Sequence, residues 1–429
     1  MLKNIIKKRS EFTNNVLTLM TGTTIAQAIP VAIAPVLTRL YTPDDFGIFG
    51  IYIAVISIIS FIASGRYELA VMLPKKNEEA VHILALSVFI AFIVSILCLI
   101  VLFIFEPAIL GLIARSYTDA DVGSLRLWLY MVPISVLFIA LFQAFNYWST
   151  RQKTFRYNAM ARISHSTVYA SGAVGLGFAT HGSMGLIIGN VLGYLTAFTA
   201  LFIKSFKSVS SKWQTVNLRN LKKVAAKHKL FPLYNAPQAL LGSGQAQGIV
   251  FVISYFFQLS IVGFFSFTNR IMHIPVTVIG ASMHQVFYQK ASQIHNEGGS
   301  LRPLLVNMYK KTAMIALPIF TIAVLAGPFL FGFIFGEAWH FSGVIAQILA
   351  PWLFFNFIAN PVASLPLILN RQKKAVAITA VDFVLRLSAL VAGGLAGSIV
   401  LALALMSFSC SIVLIYILIW YYRISDNKG

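Results

Sequence analysis

The sequence predicts an all-α polytopic membrane protein, and three observations carry that prediction. The 429 residues are 58% hydrophobic and only 11% charged, with a mean hydropathy of +0.80, whereas a soluble chain is roughly 45–50% apolar and about 25% charged. Long apolar runs recur at or above the roughly 20 residues that a spanning helix needs. The basic residues gather in alternate gaps between those runs. A water-soluble globule is excluded. A net charge of +20 would point to nucleic acid if it formed a patch on a soluble fold, but its placement in the gaps is a topology signal. Cys98 and Cys410 both fall inside apolar runs, where a free cysteine behaves as a small hydrophobe. No disulfide framework, metal-ligand spacing or cofactor motif is present in the sequence.

Twelve spanning segments are expected. They run approximately Val16 to Thr38, Phe46 to Ser64, Ala80 to Phe105, Leu125 to Asn146, Ala159 to Thr180, Met184 to Ile203, Phe231 to Phe257, Ile261 to Tyr288, Thr312 to Phe335, Phe341 to Leu369, Ala375 to Gly394 and Ile399 to Tyr422. Lys7, Lys8 and Arg9 ahead of the first, with Ala26-Gln27-Ala28 inside it, imitate a secretory signal. The apolar pattern continues past Ala28 to Thr38, and Thr18, Thr21, Thr23 and Thr24 make a poor signal core, so an uncleaved first helix is expected. Pro30 and Pro35 in the first segment, Pro275 in the eighth and Pro351, Pro361 and Pro366 in the tenth predict kinks, which neighbouring groups tolerate in membranes.

The loops alternate in charge. The N-terminal arm, Pro74 to Glu79, Tyr147 to Asn158, Lys204 to Leu230, Gln289 to Lys311, Asn370 to Lys374 and the tail hold 26 of the 33 lysines and arginines. The opposite loops hold Arg39, Arg115 and Arg126 against Asp44, Asp45, Glu106, Asp119, Asp121 and Glu337. The first set is expected in the cytoplasm by the positive-inside rule, with both termini there. Lys204 to Leu230 has eight basic residues and no acidic one, which marks sidedness and also suits anionic lipid. It divides the chain into expected six-helix lobes, 1–203 and 231–429, joined by a basic linker, 204–230. A faint repeat fits: Tyr41, Phe46, Gly47 and Phe49 correspond to Phe257, Val262, Gly263 and Phe265 at a constant offset of 216 residues, as in transporters built from parallel repeats.

Charged side chains inside spans cost about 2.5–3.5 kcal/mol each and so face a protein interior or a wet cavity. Arg66 and Arg162 lie near cytoplasmic helix ends, where snorkelling explains them. Arg270 sits roughly 13 Å deep by helical rise, with His273 one turn on. Asp382 and Arg386 are four apart and can pair within one helix, or Asp382 can carry a proton; Glu68 beside Arg66 has the same two readings. Asn235, Gln238, Gly242 and Gln245 form one stripe on the seventh segment, either as interhelical glue, for which Gly242, Gly244 and Gly248 would allow close packing, or as a lining for a hydroxyl-rich ligand. No nucleophile–base constellation is present.

The run Leu37-Thr38-Arg39-Leu40-Tyr41-Thr42-Pro43-Asp44-Asp45-Phe46-Gly47, followed by Arg66-Tyr67-Glu68-Leu69-Ala70 and Leu73-Pro74-Lys75, and in the second half Gln285-Val286-Phe287-Tyr288-Gln289, Phe335-Gly336-Glu337-Ala338-Trp339, Ala350-Pro351-Trp352 and Asn370-Arg371-Gln372-Lys373, resembles the Wzx-type oligosaccharide repeat-unit flippases. These are members of the polysaccharide transporter family in the MOP superfamily. The resemblance implies two six-helix lobes in a V around a cavity open to alternate sides. It implies a cargo of undecaprenyl-diphosphate-linked oligosaccharide, moved from the cytoplasmic to the periplasmic leaflet of the bacterial inner membrane for O-antigen or capsule synthesis. The polysaccharide polymerase and chain-length regulator would then be partners. It further implies that Arg270, Arg39 and Arg66 bind the substrate diphosphate, while Asn235, Gln238 and Gln245 suit its sugars. Asp382, Glu68 and His273 are the candidates for ion coupling. Two rival readings stand beside it. A drug/cation antiporter of the same superfamily would favour acidic cavity residues, whereas arginines outnumber carboxylates here. A membrane glycan polymerase or ligase would place its chemistry on large outer loops, and the largest here is the short Glu106 to Ser124 segment.

Overall fold

A computed structural model describes Thr18, residues 20–113, Arg126, and residues 128–179 and 182–426. Lys7, Lys8 and Arg9, and the outer-loop charges Arg115, Asp119 and Asp121, lie outside the described residues. Among the described residues the secondary structure is helical. In chain order the elements are α1 (Met20–Leu40), α2 (Pro43–Ile62), α3 (Tyr67–Ala70), α4 (Asn77–Ile113), α5 (Met131–Arg151), α6 (Phe155–Ala179), α7 (Met184–Trp213) and α8 (Leu218–Lys227). A π turn, Phe231–Asn235, leads into α9 (Ala236–Phe256), followed by α10 (Leu259–Met272), α11 (Ile274–Asn296), α12 (Arg302–Phe335), α13 (His340–Ala359), α14 (Leu365–Ile368), α15 (Gln372–Leu395) and α16 (Ile399–Ile424).

Among the described residues, ten helical stretches are long and apolar enough to cross a bilayer, which makes the chain a multi-pass membrane protein. The fifth and eighth expected segments are helical but are not among the ten. Along α6, Arg156, Arg162 and His165 make the helix too polar. The eighth is split at His273, which ends α10 and starts α11. Pro275 lacks the N–H that would bond the Ile271 carbonyl, so the expected kink becomes a break.

The chain forms two compact units, Met1–Phe251 and Val252–Gly429. In the first, Ile83, Leu84, Phe145, Trp148 and Leu201 build a buried core that also takes Val224 of the amphipathic basic helix α8. Tyr41 fills a notch between α6 and α7, donating its hydroxyl to the Ala173 carbonyl at 2.6 Å. A Cβ on Gly185 would lie 2.0 Å from that hydroxyl, so only glycine fits there. In the second unit, Phe287, Leu305, Met308, Val362 and Trp420 form a core. The α12–α13 crossing is closed by Gly327 and Gly343, where a Cβ on Gly343 would meet the Gly327 carbonyl oxygen at 2.4 Å. Small residues allow that approach between membrane helices.

The faint repeat marks equivalent joints. Tyr41 and Phe257, Phe46 and Val262, Phe49 and Phe265 are all buried within their own units. Each set flanks a helix start whose first residue is extended, Thr42 (ψ 164°) before α2 and Gln258 (ψ 159°) before α10. The two joints differ in capping. Thr42 and Asp45 form a reciprocal capping box with Pro43 at the first helical position, whereas Gln258 makes no side-chain cap.

Candidate functional site

Two groups of embedded charges are built by the fold, one in each unit. In the first, α2 ends and the chain turns through Gly65 and Arg66, both left-handed (φ 60° and 61°). Glycine adopts that conformation freely, whereas arginine is strained by about 1–2 kcal/mol. The turn delivers Glu68 into the interior, fully buried, where it accepts a hydrogen bond from Ser64 and lies 3.4 Å from Arg66 Nη1. The Arg66 guanidinium also lies 5.7 Å from the Phe61 ring centre. Tyr147 of α5 is within electrostatic reach of Arg66, Glu68 and Arg162, and Arg162 of α6 is likewise near Tyr194 of α7. Thus Arg66, which caps α3, and Arg162, on α6, both come within reach of Tyr147. Arg39 is exposed in the last turn of α1 and donates from Nη1 to the Pro35 carbonyl at 2.6 Å.

The polar stripe begins where the π turn hands over to α9. Asn235 closes that turn and is half-buried, as is Gln245, while Gln238 is exposed. A Cβ on Gly242, Gly244 or Gly248 would meet nothing within 4 Å. The glycines of α9 therefore face open space rather than a packed neighbour, and the close-packing reading of this stripe is corrected. Spacing alone does not distinguish the two.

In the second unit Arg270 lies in the last turn of α10, half-buried, immediately before the break at His273. A cation is favoured at that helix end by the macrodipole. Past the break, the His273 ring stands edge-on to Trp352 of α13 at 5.9 Å. The guanidinium of Arg386 lies over the same indole at 5.0 Å and pairs with Asp382 at 2.7 Å, one turn away on α15. Cys410 of α16 is buried against this pair. Two of the three coupling candidates, Asp382 and His273, are thus joined through Trp352, while Glu68 belongs to the other unit. Sequence reasoning missed Trp352 as a linker and missed the tyrosines around Arg162. Their partners lie on other helices, so no local spacing signals them.

A family described as "Polysaccharide biosynthesis protein" matches residues 36–344, more than half of the chain. The succinoglycan biosynthesis transport protein ExoT of Rhizobium meliloti is 24% identical over 327 residues, covering 74% of this chain and 61% of the relative. The chain thus spans about three-fifths of the length of that curated relative. Among solved structures, the lipid II flippase MurJ in an inward closed conformation superposes with a TM-score of 0.75 at 13% identity, covering 95% of this chain and 87% of the other. An inward-facing MATE multidrug resistance transporter of the MOP superfamily gives 0.69 at 13% identity, covering 95% and 94%. A MOP transporter from Pyrococcus furiosus gives 0.60 at 12%, covering 96% and 95%. At these identities the structural likeness establishes the fold alone. The family match extends from the end of α1 through the α13 start and carries the first unit's charged turn and Arg270 with it, so this chain, a multi-pass helical membrane protein with the MOP-exporter fold, belongs to the polysaccharide biosynthesis protein family.

Proposed function

We propose that the protein flips an undecaprenyl-diphosphate-linked oligosaccharide from the cytoplasmic to the outer leaflet of the bacterial inner membrane, supplying a polysaccharide polymerase and its chain-length regulator. The observation that carries this reading is Arg270, the one charged residue of α10, half-buried in that helix's last turn in a polysaccharide biosynthesis protein. A diphosphate entering hydrocarbon needs a cationic partner, and guanidinium offers two parallel hydrogen bonds to its oxygens. The reading is supported by a relative named for succinoglycan transport and by a fold shared with a lipid II flippase. Arg39 and Arg66 assist Arg270 with the diphosphate. Asn235, Gln238 and Gln245 present amides to the sugars, and Asp382, His273 and Glu68 couple transport to an ion. Lobes 1–203 and 231–429 alternate access about the basic linker, with both termini cytoplasmic.

Deleting the gene should remove the surface polysaccharide and leave lipid-linked repeat units in the inner membrane. Unchanged long-chain glycan in a strain with no related flippase would overturn the reading. In complementation, Arg270→Ala should abolish surface glycan while the protein reaches the membrane at normal levels, and Arg270→Lys should restore it in part, because lysine keeps charge and loses the fork. Full activity of Arg270→Ala would remove this residue from the substrate site.

A further inference from the structure

We propose that a slot among α4, α5 and α7 of the first unit holds one acyl chain of an anionic phospholipid from the basic side of the membrane, its phosphate met by Lys207 and Lys212. The site goes beyond the flippase reading, because its occupant is a lipid of the bilayer and no part of the cargo.

The slot is a cavity of about 710 Å³, within the size range of small-molecule sites. Its wall is apolar except for Ser210 and Gln214, both at the C-terminal end of α7. On α7 the lining residues Phe198, Phe202, Phe206 and Ser210 recur every four residues, which places them on one face of the helix. The ring centres of Phe198 and Phe202 are 5.6 Å apart and those of Phe202 and Phe206 5.7 Å. Phe145 of α5 meets Phe198 at 5.6 Å and Phe202 at 5.5 Å, edge-on to both. Phe145 and Val209 also belong to the unit's buried core, so the wall is fixed by packing before any ligand arrives. The slot stays open along one side, with Phe206 55% and Trp213 45% exposed.

Length and charge identify the occupant. From Phe198 to Trp213 the slot runs about 22 Å along α7, half of the roughly 40–45 Å that a bilayer measures with its headgroup regions. That is the depth of one leaflet, so the slot matches a phospholipid and cannot house a polyprenyl tail, which is several times longer. The end at Trp213 and Gln214 is the charged one. Lys207 follows Phe206 and stands three residues before Ser210, and Lys212 adjoins Trp213, so both cations flank the mouth. An indole at this level suits the membrane–water interface. Among the described residues neither lysine pairs with a carboxylate; the ion pairs of segment 204–230 run from Lys227 and His228 to Glu79. Past the mouth, α8 presses Leu221, Val224 and Ala225 onto the same core and leaves Arg219, Lys222 and Lys223 exposed. A segment with eight basic residues and no acidic one attracts an anionic headgroup, whereas a zwitterionic lipid brings it no net charge. The apolar slot and the cations at its mouth thus match the two ends of one molecule.

The test uses purified full-length protein in phosphatidylcholine vesicles, into which phosphatidylglycerol with brominated acyl chains is titrated. Bromine quenches an indole that it touches, and the Trp213 signal is the difference between wild type and Trp213→Phe. Quenching of Trp213 should saturate, with its half-point at about a tenfold lower mole fraction than for brominated phosphatidylcholine, the scale of two lysines acting on one headgroup. Lys207→Gln with Lys212→Gln, neither of them buried, should bring the two lipids level without lowering the thermal midpoint. Val88→Phe with Leu137→Phe, which fills the slot, should abolish the saturable quenching. Equal half-points for the two lipids in wild type, or an unchanged preference in the lysine variant, would overturn the site. So would displacement of the phosphatidylglycerol by an equal fraction of undecaprenyl phosphate, which would give the slot to a prenyl tail, or loss of quenching as the protein-to-lipid ratio rises, which would give it to a second copy of the chain. No cargo and no translocation enter the measurement, so its failure leaves the flippase reading to the complementation test, and failed complementation by wild type leaves this site standing.

Discussion

The two units bury charge in opposite ways. In the second, Asp382 and Arg386 neutralise one another within a single helix and stack on Trp352, which also meets His273. In the first, Glu68 pairs with Arg66 of a strained turn, while Arg162 of α6 lies near Tyr147 and Tyr194 and, among the described residues, pairs with no carboxylate. A self-compensated pair is neutral as it stands, and a proton taken up by Asp382 would release Arg386 from it. An uncompensated arginine instead favours a ligand that brings its own negative charge. On the proposed function, the second unit's group serves coupling and the first unit's serves recognition.

The largest expected effect separates these roles. Asp382→Asn leaves Arg386 unpaired where both side chains are about one-fifth exposed or less, and loss of one partner of a buried pair costs about 3–5 kcal/mol. The thermal midpoint of the purified protein should fall markedly, and adding Arg386→Met should restore most of it. Arg162→Met should leave the midpoint unchanged or raise it, because no partner is stranded. Equal losses in Asp382→Asn and Arg162→Met would erase the distinction.

Helix crossings give the next effect. Gly343→Ala drives a Cβ to 2.4 Å from both the Gly327 carbonyl oxygen and Pro328 Cα, whereas Gly172→Ala in the first unit approaches only Gly189 Cα, at 3.2 Å. Overpacking of this kind costs about 1–3 kcal/mol, so Gly343→Ala should lower the midpoint more than Gly172→Ala. The smallest effect compares the repeated joints. Thr42→Ala removes the capping box before α2 and should cost about 1 kcal/mol, while Gln258→Ala before α10, which has no cap to lose, should be near neutral. Equal midpoints for these two variants would contradict the capping difference.

The helices were legible because lipid imposes long apolar runs, and Asp382–Arg386 was legible because its spacing is one turn. Pro275 announced a disturbance but not its size, since a kink and a full break have the same local sequence. Depth along the helix singled out Arg270. For Arg162 the neighbours Tyr147 and Tyr194 were not legible, because they belong to other helices. The glycines of α9 misled in the converse way: they permit close packing, and nothing packs there.

The central claim, that this chain moves a lipid-linked oligosaccharide across a bilayer, is tested most directly in proteoliposomes. Purified protein is reconstituted with a fluorescent undecaprenyl-diphosphate-linked oligosaccharide, and exposure of the sugar to a membrane-impermeant glycosidase is followed over time. Wild type should bring the shielded half of the substrate to the enzyme, and Arg270→Ala should not. Cleavage that stops at the outer half in wild-type proteoliposomes, as in protein-free vesicles, would contradict the account.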